Sequence, residues 1–245
     1  AVSKVKVPLT TSPRFQKEAA EIALQMSQFS VDELERLLRV NAKIAVENYK
    51  RYQAFHAEAT PELPALLAYT GIVFKRLNPK DFSAEDFGYA QEHLRLTSFC
   101  YGLLRPLDVI RAYRLEGDVV LPELGNQTLF SYWRSRLTDT FIEDIRSAGG
   151  ILCNLASDEM KSLFDWKRVE SEVRVVTPEF HVWKNGKLAT IVVYTKMSRG
   201  EMTRFILKNK IGNPEELKGF SWEGFEFDES LSDEKKLVFI NGMGE

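Results

Sequence analysis

Val173-Arg-Val-Val-Thr-Pro-Glu-Phe-His-Val-Trp183, then Asn185-Gly186, then Leu188-Ala-Thr-Ile-Val-Val-Tyr-Thr195 is the stretch that decides the fold. Two runs rich in β-branched and aromatic residues flank an Asn-Gly pair, which supplies the positive φ angles of a type I′ turn. The segment is therefore predicted to be a β-hairpin. Before residue 170 the apolar residues recur mostly at helical spacing; after it the period shortens towards that of strands. Helices outnumber strands, and hairpins are mixed with strand–helix units. That pattern predicts an α/β fold of the mixed α+β kind, a mixed sheet with hairpins covered by helices, and argues against a plain doubly wound sheet.

Working back from the hairpin, Ile151–Cys153 follows Gly149-Gly150 and reads as a short buried strand. Residues 127–147 carry Leu129, Phe130, Trp133, Leu137 and Ile145 on the apolar positions of an amphipathic helix. Ser83-Ala-Glu-Asp86 caps a long helix with an inner stripe of Phe87, Ala90, Leu94 and Tyr101, ending near Gly102. Leu66 to Phe74 reads as a strand pair or an apolar turn around Gly71. Three helices are predicted before that: one capped by Ser12-Pro13, one opened by the capping box Ser30-Val-Asp-Glu33, and one capped by Asn41 and running to about Ala59. Forward from the hairpin, a basic helix spans about Arg199 to Lys210, and a short second helix follows Gly212-Asn-Pro214. Phe225–Phe227 and Leu237–Ile240 close the chain as strands.

The 245 residues, 44% of them hydrophobic, can bury a full core. No Pro/Gly/Ser-rich linker, low-complexity tract or repeat interrupts the chain, so residues 1–245 are expected to form a single compact domain. Lys and Arg number 33 against 35 Asp and Glu, a net charge of −2. Any basic surface must then be local and offset by acid elsewhere. Cys100 and Cys153 lie far apart in apolar contexts and read as buried, reduced thiols of a cytoplasmic protein. No apolar run approaches the ~20 residues of a membrane span. His56, His93 and His181 show no metal-ligand spacing, so no metal and no cofactor are expected.

The chemistry concentrates in His93-Leu-Arg-Leu-Thr-Ser-Phe-Cys-Tyr-Gly-Leu-Leu-Arg-Pro-Leu-Asp-Val-Ile-Arg-Ala-Tyr-Arg-Leu-Glu116. Arg95, Arg105, Arg111 and Arg114 are set there in an apolar framework. Guanidiniums held this way read as a rigid anion-binding or ion-pairing surface, suited to phosphate or carboxylate. A second basic stretch, Lys196 to Lys210, carries Lys196, Arg199, Arg204, Lys208 and Lys210 with only Glu201 opposing them. Arg204 and Lys208, one turn apart, are expected to project from an exposed helix face opposite Met202, Phe205 and Ile206. Asn154-Leu-Ala-Ser-Asp-Glu159 follows a buried strand, where α/β proteins tend to place ligands. Ser157 there also reads as a helix cap, with Asp158 and Glu159 complementing the helix dipole. No nucleotide-loop or nucleophile-elbow motif is present.

Four of these strings carry a resemblance: Phe87 to Glu116 with its Leu-Arg-Pro-Leu-Asp core, Asn154 to Glu159, Lys196 to Lys210 around Arg199-Gly200, and Leu217-Lys-Gly-Phe220. From about Leu9 to Ile240 the chain resembles the YaaA family of bacterial peroxide stress proteins. The resemblance implies a compact α/β fold peculiar to the family, a positively charged cleft, a helix-hairpin-helix-like element and a cytosolic, DNA-binding role that limits damage by peroxide and iron. Met197 to Phe220 is the candidate for the hairpin element. Pro214, Glu215 and Glu216 make its turn a poor phosphate site. The short apolar strand and Ser-Pro-Ala-Lys segment that usually open family members are not found from Ala1 onward, so the cleft is expected to be incomplete if they belong to it.

On this reading Arg95, Arg105, Arg114, Lys196, Arg199, Arg204 and Lys208 converge on one groove and bind the DNA backbone with low sequence specificity, while Asp108, Glu116, Asn154, Ser157 and Glu159 are polar residues of the cleft. No catalytic residue is assigned. The competing readings are an enzyme acting on a phosphorylated or carboxylated small molecule in the same arginine-rich cleft, and a scaffold whose arginines are all internally paired.

Overall fold

The computed structural model describes residues 3–242 apart from Asn185. In chain order its helices are α1 Gln16–Met26, α2 Val31–Leu38, α3 Ala42–Ala54, α4 Ala65–Ala68, α5 Ile72–Leu77, α6 Ala84–His93, α7 Leu129–Ser147, α8 Asp158–Lys161, α9 Trp166–Glu172 and α10 Val192–Asn209. Its strands are β1 Glu62–Pro64, β2 Leu96–Ser98, β3 Gly102–Leu104, β4 Val109–Arg111, β5 Val120–Leu121, β6 Gln127–Thr128, β7 Ile151–Cys153, β8 Arg174–Lys184, β9 Lys187–Ala189, β10 Phe225–Phe227 and β11 Lys236–Asn241. The class is mixed α/β, as the change of period predicts.

Backbone contacts divide the chain into two compact units. The first contains residues 1–68, 94–141 and 158–166. It holds three small antiparallel ladders, β1–β4, β2–β3 and β5–β6. Trp133 is fully buried, meets Phe15 edge-on and donates its indole N–H to the Phe99 carbonyl at 2.8 Å. Gly102 lies so close to this indole that a Cβ would stand 2.7 Å from the ring, and its φ of +70° turns the chain from β2 into β3. Only glycine meets both conditions.

The second unit contains residues 69–93, 142–157 and 167–245 and is built on one mixed sheet of order β10-β11-β8-β7, with β9 added to β8. β7 and β11 run parallel to β8, while β9 and β10 pair antiparallel with their neighbours. Val176, Phe180 and Val182, on alternate positions of β8, pack with Phe239, Phe225, Phe220 and Met202 into its core. Alternation is the pleat at work: successive side chains leave opposite faces of the strand.

Several boundaries differ from expectation, each for a local reason. α1 starts at Gln16 rather than behind Ser12-Pro13, because Thr11 pairs with the Leu107–Val109 backbone and the Ser12 carbonyl accepts from Arg105. α3 ends at Ala54, where the Thr60 hydroxyl donates to the last carbonyl. Leu66 to Phe74 forms neither strands nor a bare turn but parts of α4 and α5 on either side of Gly71. α6 stops at His93, and in place of the expected continuation to Tyr101 stands the β2–β3 hairpin, its turn closed by the Tyr101 amide on Ser98 Oγ. Asn185, the first residue of the expected type I′ turn, lies outside the described residues; Gly186 beside it has φ +70°. The second hairpin strand ends at Ala189, and α10 begins at Val192, seven residues before Arg199.

Candidate nucleic-acid interface

In the first unit, Arg105-Pro-Leu-Asp108 is a closed ion-paired loop. Asp108 is buried and accepts from the Arg105 amide at 2.8 Å, from Arg105 Nη2 at 2.9 Å and from Thr11 Oγ1 at 2.6 Å. Arg105 is thereby tied to the scaffold. Arg111, at the end of β4, donates to Glu62 at 2.9 Å and to the Phe55 carbonyl. Arg95 donates to the Leu94 carbonyl at 3.0 Å. Arg114 is different: its side chain is 48% exposed and pairs with Glu116 at 3.1 Å. Burial pushes the Glu116 carboxyl up, Arg114 opposes that, and Glu159 and Asp118 add to it.

In the second unit, α10 carries the expected basic residues, but its C-terminal half is not the solvated stripe that the spacing suggests. Arg204 is forked onto Asp81 and donates to the Asn78 carbonyl at 2.7 Å. Lys208 reaches Asp86 at 2.8 Å, Lys210 joins it on the same carboxylate, and Arg204 and Lys208 both lie over the Phe82 ring. Burial alone would push the Asp86 carboxyl up. The hydrogen bonds from Lys208, Lys210 and Ser83 outweigh it and hold the group far below the usual carboxylate range. Sequence gives no sign of this triad, because there Asp86 reads only as a capping partner of Ser83, a role it also fills.

Lys196 is exposed on α10, and Arg199 is half-buried. Asn154 is buried at the end of β7 and takes the Ala156 amide on its Oδ1, while its Nδ2 has no hydrogen-bond partner among the described residues. Ser157 is half-buried before α8, and Glu159, exposed in α8, belongs to the first unit. The Met197–Phe220 hairpin element is α10 followed by a 3₁₀ turn, Pro214–Gly219. The Glu215 and Glu216 amides at its start are taken by Asn213. A phosphate there would find its donors occupied and two carboxylates beside them.

His181 bridges Glu179 at 3.1 Å and Thr190 at 3.0 Å, pinning the base of the β8–β9 hairpin. Among the described residues, no three His, Cys, Asp or Glu side chains are grouped to hold a metal ion. No helix among them is long and apolar enough to cross a membrane. Burial pushes both thiols up, Cys153 to about 12 and Cys100 further.

Residues 2–231 match the sequence profile of a family described as peroxide stress protein YaaA. A UPF0246 protein of Bacteroides thetaiotaomicron is 99% identical over 245 residues, 100% of this chain and 95% of that one. A UPF0246 protein of Porphyromonas gingivalis is 53% identical over 232 residues, 94% of this chain and 91% of its own. One from Crocosphaera subtropica is 38% identical over 235 residues, covering 96% and 92%.

Proposed function

The chain belongs to the family of the peroxide stress protein YaaA, which gives it a role in peroxide stress, and we propose that it fills this role by binding DNA and limiting peroxide and iron damage there. The family match across almost the whole chain carries the peroxide-stress role, and the exposed cations Arg114 and Lys196 are what support DNA as its target. Two features support binding rather than peroxide chemistry. Burial pushes both thiols up and so disfavours the thiolate that a peroxide-reducing nucleophile needs. Arg114 and Lys196 keep their exposure, and cations that reach solvent suit phosphate contacts.

The contacts are backbone-dominated and indifferent to sequence, through Arg95, Arg114, Lys196 and Arg199. Arg105, held on the buried Asp108, and Arg204 and Lys208, which serve the packing of the second unit, have less to offer a phosphate. A salt titration of duplex binding tests the reading. If four or five phosphates are neutralised, log K against log salt should slope at roughly −4, and Arg114→Ala with Lys196→Ala should flatten it by roughly 2. No binding at low salt would discard the proposal and favour an enzyme working beside the half-buried Glu116–Arg114 pair.

A further inference from the structure

The tip of the second unit's hairpin is built against its own stability. β8 and β9 set Trp183 opposite Leu188 and Lys184 opposite Lys187. Like charges directly opposite on a ladder repel, a cost this tip carries, while the Trp183–Leu188 pair stays largely open to water. Among the described residues neither lysine makes an ion pair or a side-chain hydrogen bond, and neither does Lys196 in the second turn of α10. Trp183 is 47% exposed, and Val192, where α10 begins, is 64% exposed. The base of the hairpin, in contrast, is well tied, by the His181 bridge and by Val182, which is buried in the core.

An exposed indole and unpartnered ammonium groups on one pinned ribbon have the makings of a nucleic-acid contact. Aromatic faces take bases, point charges take phosphates, and a fixed base keeps both in place. Because successive cross-strand pairs leave opposite faces, Trp183 and the Lys184–Lys187 pair lie on the two sides of the ribbon. Among the described strands β9 pairs only with β8, so no strand covers the ribbon's outer edge. A flexible single strand can wrap that edge and reach both sides, whereas a duplex cannot, and its bases are already stacked.

We infer that the β8–β9 hairpin is a finger for single-stranded DNA, with Trp183 stacking on a base and Lys184 and Lys187 holding the flanking phosphates. This rests on the DNA-binding reading above and adds to it a site and a preferred form of the partner. Opened strands are where peroxide and iron reach bases most freely, so a protein acting there holds the vulnerable form.

The test is a fluorescence-anisotropy titration of the full chain with oligothymidylate of about 15 nucleotides, near the upper end of common single-strand site sizes, and with a duplex of equal length. Single-strand binding should exceed duplex binding. Trp183→Ala should weaken it by about 5- to 150-fold, the range for losing one base stack, while Trp183→Phe keeps most of it. The double variant Lys184→Ala, Lys187→Ala should flatten the single-strand salt slope by about 1.4. These side chains are exposed, so the melting temperature should stay put. If Trp183→Ala lowers it, the lysine variant and quenching of Trp183 emission by the oligonucleotide decide instead. Duplex-preferring binding that ignores Trp183 and both lysines overturns the finger but leaves DNA binding intact. Binding of poly-glutamate as tight as that of the oligonucleotide also overturns it, by pointing to an acidic protein surface. Absence of binding to either nucleic acid overturns both.

Discussion

Asp86 shows how much one carboxylate can hold. It lies 4% exposed at the start of α6, closes a capping interaction with Ser83, and draws Lys208 and Lys210 across from α10. Asp86→Asn keeps the size but loses the charge. The expected cost is about 2–3 kcal/mol, below the ~3–5 of a fully buried pair because both ammonium groups reach water. It should appear as a lower midpoint in urea at unchanged slope. The pH dependence has a definite sign. The folded group sits below its unfolded value, near 3.9, so its stabilisation is complete above about pH 4–5 and drains away as pH falls further. Asp86→Asn should therefore flatten the acid side of the stability curve. An unchanged acid limb would show that other carboxylates govern it. The Ser83–Asp86 cap is legible in sequence, since capping is a matter of spacing within one turn. Lys208 and Lys210 come from 122 and 124 positions downstream, and no local pattern reports such a meeting.

At the scale of elements, α10 shows why tertiary context overrides propensity. Ile191, Val192 and Val193 favour a strand, which is why the sequence reading carries the hairpin on to Thr195. The helix starts among them because its far side is engaged by α5 and by the sheet, a gain larger than a few tenths of a kilocalorie of local preference. Gly200 is the point of closest approach. A Cβ there would stand 2.3 Å from the Val73 carbonyl oxygen in α5. Helix propensity alone would favour Gly200→Ala by roughly 1 kcal/mol. Contact with backbone, which cannot rotate away, should win and give a net loss of about 1–3 kcal/mol, read as a lower midpoint in urea. A stabilised Gly200→Ala protein would mean that α5 yields easily. The same proximity explains why Arg204 and Lys208 are not a solvated stripe. The apolar periodicity locates the helix correctly but cannot say that a second set of residues covers its charged side.

For the molecule as a whole, the class and the five strands of the second unit's sheet are legible from the change of period and from Gly and Pro punctuation, whereas the six short strands of the first unit are not. The division into two units is not. Each unit is assembled from three stretches of chain, so no linker marks a boundary that composition could betray. The candidate site is legible in part: the arginine-rich segments stand out, yet which cations are committed to internal pairs depends on distant acids such as Asp81 and Asp86. The exposed hairpin lysines give no signal, because isolated lysines look like ordinary surface. In the second unit's core, Phe239 is fully buried, stacked on Phe180 and met edge-on by Phe220 and Phe227. Phe239→Ala should cost about 3–5 kcal/mol, the range for emptying such a site, and a near-neutral result would count against a central place for β11 in the sheet.

The sheet order also has a consequence in time. β11 lies between β10 and β8, in the middle of the sheet, yet among the described strands it is the last to leave the ribosome. Until it arrives, β8 presents an open edge and the aromatic core beneath it has no lid. The second unit must wait as an unfinished, adhesive surface, while the last described segment of the first ends at residue 166. The part of this protein that is completed last is thus the part that carries its hairpin.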